Sequence, residues 1–278
     1  MLRKVFLFAL GLGLTACGTG RIPFAMATAI PPVKVFMTAE GGQVAYLSNF
    51  DIATNNSQLT RAIIIIHGIG RNNVGPFNSM LQLLADQKRS GDTIVIAPRF
   101  ADDSDNIGTG YSYWGEDGWS AGDPSLDTAA VSSFAVTDQL ITAILKAPSI
   151  KEVIITGMSA GGQFTQRYAA GNAIDGVNAG VHFHYVVVSP SSYMYLNPER
   201  EVAGIFSVPT NPGCTYDNYK FGIANRNAYM NIKSDTQLVA DYLARDIVYM
   251  VGDQDNATAA PNRPIANDPK DGADLDVT

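Results

Sequence analysis

Four isoleucines in a row, Ile63-Ile64-Ile65-Ile66, preceded by Ala62, limit what this chain can fold into more than any other stretch. β-branched side chains favour extended backbone, and a run with no polar alternation is expected where both faces of a strand are covered. That is the place of an inner strand in a mostly parallel sheet flanked by helices. Four more runs repeat the theme: Thr93-Ile94-Val95-Ile96-Ala97-Pro98, Glu152-Val153-Ile154-Ile155-Thr156, His184-Tyr185-Val186-Val187-Val188 and Asp246-Ile247-Val248-Tyr249-Met250-Val251. Helical stretches are expected between them, near 75–88, 129–147, 160–171 and 234–244. The alternation predicts an α/β fold, and 278 residues are accommodated by one domain. Residues 101–127 have no period and read as a long surface loop; residues 196–233 are also irregular and read as a cap over a site.

The first residues read as an address. Arg3 and Lys4 precede an apolar run from Val5 to Leu14, which ends in Leu14-Thr15-Ala16-Cys17. A positive start, a short apolar core and small residues before a cut make an export signal, and the run is too short for a permanent membrane span. The Leu-Thr-Ala-Cys ending resembles the lipobox of bacterial lipoproteins, whose cysteine is acylated; an ordinary secretory leader with a coincidental cysteine is the alternative. The expected division is a lipoprotein signal peptide over 1–16, a tether over 17–33 and one domain over 34–278. Gly18 after Cys17 resembles the signal for the outer membrane, so the expected location is the cell envelope, lipid-anchored on the periplasmic side in a Gram-negative cell. The net charge of −7 becomes more negative once Arg3 and Lys4 are removed. That balance argues against a nucleic-acid partner or a polybasic membrane surface. With Cys17 lipidated, Cys214 is the one thiol left, whereas exported proteins usually pair their cysteines.

The chemistry centres on Gly157-Met158-Ser159-Ala160-Gly161, which follows the third strand directly and opens a helix. A serine on so tight a turn takes a strained backbone, and flanking glycines relieve the crowding. The turn lifts the serine Oγ above the sheet, and the helix N-terminus aims backbone N–H groups at developing negative charge. Ala160 N–H is then one oxyanion donor. Upstream, the isoleucine strand ends in His67-Gly68-Ile69-Gly70; downstream, the fifth strand ends in Gly252-Asp253-Gln254-Asp255. No zinc spacing, P-loop or dinucleotide fingerprint occurs, so neither metal nor cofactor is expected.

From about residue 40 onward, these features resemble the α/β-hydrolase superfamily. The longer string Gly157-Met158-Ser159-Ala160-Gly161-Gly162-Gln163-Phe164, with Arg167-Tyr168-Ala169, is similar to a poorly characterised group of bacterial and fungal hydrolases whose elbow reads Gly-His-Ser-Ala-Gly-Gly-Gln-Phe. Pro190-Ser191-Ser192-Tyr193, and Cys214 with Tyr216 and Tyr219-Lys220-Phe221-Gly222, match the same group. Met158 stands where that group has histidine. The resemblance implies Ser159 as nucleophile and a second oxyanion N–H at Ile69, with Gly70 as the alternative. It implies Asp255 as the acid, with Asp253 as rival; a solvated loop, or a calcium site with the aspartates at 271, 274 and 276, is the plainer reading. His67 reads as a structural residue of its loop. Tyr111, Tyr113, Trp114 and Trp119 either line a pocket for substrate or cover the core beneath a long loop.

The same template requires a histidine after the acid, and His67, His182 and His184 all precede it. Together with the unpaired Cys214 and the lack of a final strand and helix, this leads to the expectation that the sequence is truncated at its C-terminus. Without a base, efficient triad catalysis is not expected of the 278 residues alone. The leading expectation is a carboxylic ester hydrolase for small or polymeric esters, working through an acyl-enzyme on Ser159. A serine peptidase on the same fold is the near rival, and a non-catalytic surface lipoprotein that binds a ligand or partner is the distant one.

Overall fold

The isoleucine run sits at the heart of a seven-stranded sheet and is covered on both sides. The computed structural model describes residues 32–253 apart from 203 and 211–213. Its strands and helices, in chain order, begin with β1 (Lys34–Met37), β2 (Gln43–Ser48), β3 (Arg61–Ile66), α1 (Val74–Asp86) and β4 (Thr93–Pro98). β5 (Ala101–Asp102), β6 (Tyr113–Trp114), α2 (Ser133–Ile144), β7 (Glu152–Met158) and α3 (Ala160–Gly171) follow. The chain continues through β8 (His182–Val188), β9 (Arg200–Val202), β10 (Ile205–Ser207), α4 (Asp235–Ala244) and β11 (Asp246–Met250).

The large sheet has the order β1-β2-β4-β3-β7-β8-β11. β2 pairs antiparallel with both β1 and β4, and every other neighbour is parallel. Period-two geometry sends alternate isoleucines of β3 to opposite faces. Ile63 and Ile65 join Phe77 and Leu84 of α1 in one cluster. Ala62, Ile64 and Ile66 join α2, α3 and Leu238 of α4 in the other. Each buried isoleucine contributes about 1.5–3 kcal/mol, so a polar residue anywhere in the run would be costly.

The register brings the carboxyl ends of the inner strands to one edge. Ile66 pairs with Gly157, Met158 with Val188, and Val188 with Met250. In open parallel sheets that edge is where ligands bind.

The expected helix over 129–147 is shorter at both ends. Ser132 caps it by accepting from Phe134 N–H at 3.2 Å, which fixes its start at Ser133. Its C-terminal end loosens into turns ahead of Pro148, which disfavours helix in Ala147. Residues 101–127 are only in part a surface loop, over the largely exposed stretch 103–110. They hold the β5–β6 pair and a 3-10 turn at Gly118–Ala121, and Trp114 and Trp119 are fully buried. The two indoles carry too much apolar area to leave in water. They pack with Phe100 and Phe164, Phe164 packs in turn with Phe134, and Trp114 Nε1 donates to Asp123 O at 2.9 Å. Among the described residues no helix is long and apolar enough to cross a membrane.

Candidate active site

Ser159 stands between β7 and α3 with φ 58° and ψ −121°, a conformation costly to any residue with a Cβ. Its N–H donates to Val188 O at 3.1 Å, which ties the turn to the end of β8. The turn closes only because glycines flank it. A Cβ on Gly157 would lie 2.5 Å from Gly161 O, and one on Gly161 would lie 2.6 Å from Ile66 O. These neighbours are backbone atoms and cannot swing aside. The same closeness holds the end of β3 against the start of α3, and the loop His67–Gly70 beside the serine turn.

That loop is a turn closed by Arg71 N–H to Gly68 O at 2.9 Å. Arg71 also reaches back to Ile69 O at 2.9 Å and forms ion pairs with Asp102 at 2.9 Å and Asp105 at 2.6 Å. The turn is therefore braced from outside, while its own N–H groups remain open. Among the described residues, no acceptor is bonded to the N–H of Ile69, Gly70 or Ala160. The side chains of Ile69 and Met158 are exposed and give the rim of the site an apolar character.

Ser159 Oγ lies 3.1 Å from Ser191 Oγ. Next to it, the buried Ser192 hydroxyl is held by Gln163 Nε2 and, at 3.3 Å, by Arg167 Nη2. Gln163 and Arg167 stand four residues apart on α3, so they share one face of the helix. Arg167 is fully buried, and burial lowers its pKa. It also donates to Ser120 O and Oγ, each at 3.2 Å, and to Lys220 O at 3.3 Å. One cation thus joins α3, the 3-10 turn, the segment after β8 and the irregular segment 196–233. Nothing in the sequence marks Arg71, Ser191 or Ser192 for a role, and Gln163 and Arg167 stand out there only as part of a longer string.

The three histidines have other work. His67 is fully buried, and its Nε2 accepts from Phe100 N–H at 2.9 Å. The proton is therefore on Nδ1, which donates to Gly68 O at 2.9 Å. Burial lowers its pKa to about 4, so the ring is neutral and its two nitrogens are engaged. The ring packs at 4.4 Å from Trp119. His182 and His184 lie toward the amino-terminal end of β8. His184 is four residues before Val188, roughly 13 Å along the strand from the serine's edge. It bridges Glu152 at 2.6 Å and Asp246 at 2.7 Å. Burial lowers its pKa, but the two carboxylates outweigh that and leave it raised.

Asp253 is exposed and lies three residues past β11, on the same edge of the sheet as Ser159. Asp255, the aspartates at 271, 274 and 276, and Cys17 lie outside the described residues. Of the aromatics expected near a pocket, Trp114 and Trp119 are core residues, whereas Tyr113 and Tyr111 line an open depression with Asp102, Asp105 and Leu126. Cys214 is exposed and has no disulfide partner among the described residues. Among the described residues no cluster of three or more His, Cys, Asp or Glu is arranged to hold a metal ion.

With this strand order, helix placement and serine turn, the chain has the α/β-hydrolase fold. Solved structures agree. It is similar to LpqC, a poly(3-hydroxybutyrate) depolymerase from Bordetella parapertussis, with 18% identity, a TM-score of 0.56, and coverage of 86% of this chain and 70% of that one. It is also similar to poly(aspartic acid) hydrolase-1 from Sphingomonas sp. KT-1, with 18% identity, a TM-score of 0.53, and coverage of 86% and 76%. No protein-family model and no curated protein matches the sequence.

Proposed function

We propose that this chain is a serine hydrolase acting on carboxylic esters through an acyl-enzyme on Ser159. The observation that carries the reading is the Ser159 turn, with φ 58° and ψ −121° held against two glycines that no larger residue can replace. A fold keeps such strain where a side chain must be presented in one direction. Ser159 Oγ attacks the carbonyl carbon and gives up its proton to a base. The N–H groups of Ala160 and of Ile69, or Gly70 in its place, bond the resulting oxyanion. Collapse expels the alcohol, whose oxygen takes the proton back from the base, and water then hydrolyses the acyl-enzyme. Asp255, with Asp253 as rival, orients the base. The base is assigned to none of His67, His182 and His184, because His67 is engaged at both nitrogens and the other two lie at the far end of β8. The names of the two structural neighbours, a depolymerase and a hydrolase, support acyl substrates that include polymers. The leader supports a mature chain that begins at a lipid-modified Cys17 in the cell envelope.

The test is labelling with a fluorophosphonate, read by mass spectrometry of the purified full chain. Label is expected on Ser159 and absent from Ser159→Ala. Equal labelling of both proteins overturns the nucleophile, and an unlabelled wild type favours the ligand-binding reading. The same spectra read the N-terminus, where an unmodified peptide spanning Cys17 overturns the anchor.

A further inference from the structure

The segment that follows β8 is tied to both β11 and α3. Ser189 takes φ 35°, and its N–H donates to Met250 O at 2.8 Å, which ties it to β11. Ser192 is held by Gln163 and Arg167, and Met194 by Gln166, which accepts from Met194 N–H at 2.8 Å and donates to Met194 O at 3.3 Å. Three side chains of α3, the helix that carries the nucleophile, thus dock this segment. The hydroxyl of Ser191 points instead to the nucleophile. Ser191 is exposed, and its Oγ faces Ser159 Oγ at 3.1 Å.

We propose that Ser191 is a catalytic residue, whose hydroxyl donates a hydrogen bond to Ser159 Oγ whenever that oxygen carries excess negative charge. The inference rests on Ser159 being the nucleophile and goes beyond it. In the resting pair either oxygen can donate. During attack the Ser159 proton passes to the base, the Oγ lone pair forms the bond to carbon, and the carbonyl π electrons move to oxygen. Ser191 alone of the two hydroxyls still has a proton to donate at that point. In deacylation water gives a proton to the base as its oxygen bonds to the acyl carbon and the carbonyl π electrons move to oxygen. The C–Oγ bond then breaks, its electron pair returns to Oγ, and Oγ is reprotonated by the base. Ser191 again donates to Oγ while the charge is there, and keeps its own proton throughout. A hydrogen bond to the charged form of a group favours that form. The rigid mounting matters because a donor already in place needs no reorganisation as charge develops.

The experiment compares fluorophosphonate labelling rates of the full chain in wild type, Ser191→Ala, Ser191→Thr and Ser159→Ala, with a melting temperature for each. Ser191→Ala is expected to label roughly tenfold to a hundredfold more slowly at an unchanged melting temperature, the scale of one charge-assisted hydrogen bond. Ser191→Thr, which restores a hydroxyl, is expected to recover most of the rate. A wild-type rate in Ser191→Ala overturns the proposal and leaves Ser159 standing. So does an equal loss in Ser191→Thr, which would make the site's shape the cause. Labelling that survives Ser159→Ala, or a wild type that takes no label, removes the nucleophile itself and the proposal with it.

Discussion

Ser159 pairs a φ of 58° with a ψ of −121°, a region glycine enters freely and other residues enter at a cost of about 1–3 kcal/mol. That cost should be visible when the hydroxyl is removed in two ways. Ser159→Gly and Ser159→Ala both abolish labelling, but only the first relieves the turn. We expect the glycine variant to be about 1 kcal/mol more stable than the alanine variant in urea denaturation. In ordinary ordered backbone glycine is the less stable of the two by about 0.5–1 kcal/mol, so the order itself is diagnostic. An alanine variant at least as stable as the glycine variant would mean that the turn stores no strain. Ser159 was legible in the sequence because everything its turn needs is contiguous: a strand, two glycines and a helix. Ser191 was not, because its place depends on the pairing of Met158 with Val188, a contact between strands thirty residues apart.

At the scale of elements, α3 does more than follow the nucleophile. Arg167, two turns past Ser159, is a buried guanidinium bonded to Ser120, Ser192 and Lys220. Desolvating such a cation costs several kcal/mol, so its bonds serve mainly to offset its own burial. Removing it nevertheless leaves the carbonyls of Ser120 and Lys220 without this donor, at about 1–3 kcal/mol for each that finds no other. We expect Arg167→Met, which keeps the side chain's length, to lose about 2–4 kcal/mol, read as a lower urea midpoint. An unchanged midpoint would mean that relief of desolvation cancels the lost bonds. The inner strands could be read in advance because burial on both faces leaves an unbroken apolar run. β1 and β2 could not: β1 has four residues that alternate between half-buried and exposed positions, and β2 begins with alternating half-buried and buried positions and not with an unbroken apolar run. The tryptophan-bearing stretch was misread as surface because its order comes from contacts with Phe100 and Phe164 and not from any local period.

For the whole molecule, one buried and one partly buried group make stability depend on pH in opposite senses. His67 has its pKa lowered to about 4, chiefly by burial, against 6.5 for a free histidine. Between those values the unfolded chain binds more protons, so His67 makes stability rise with pH, by on the order of 3 kcal/mol over the window. Asp138 is the reverse case. It accepts from Tyr168 at 2.7 Å and Tyr229 at 2.6 Å, and Lys233 and Arg245 also favour its charged form. Burial still prevails and raises its pKa from 3.8 to about 6. There the folded chain holds the extra proton, so stability falls as pH rises from about 4 to about 6 and the Asp138 contribution is flat above. His184, raised above 6.5 by its two carboxylates, acts only at higher pH and leaves this window clear. The two slopes therefore offset each other in the wild type. Asp138→Asn removes one of them, and its urea midpoint should climb more steeply than that of wild type between pH 4.5 and 6.5. Parallel curves would mean that Asp138 ionises as an ordinary carboxylate, and that the tyrosine pair and the nearby cations fully offset burial. A steeper variant curve would show that the junction of α2 and α3 keeps a proton at a pH where a free carboxyl group would have lost it.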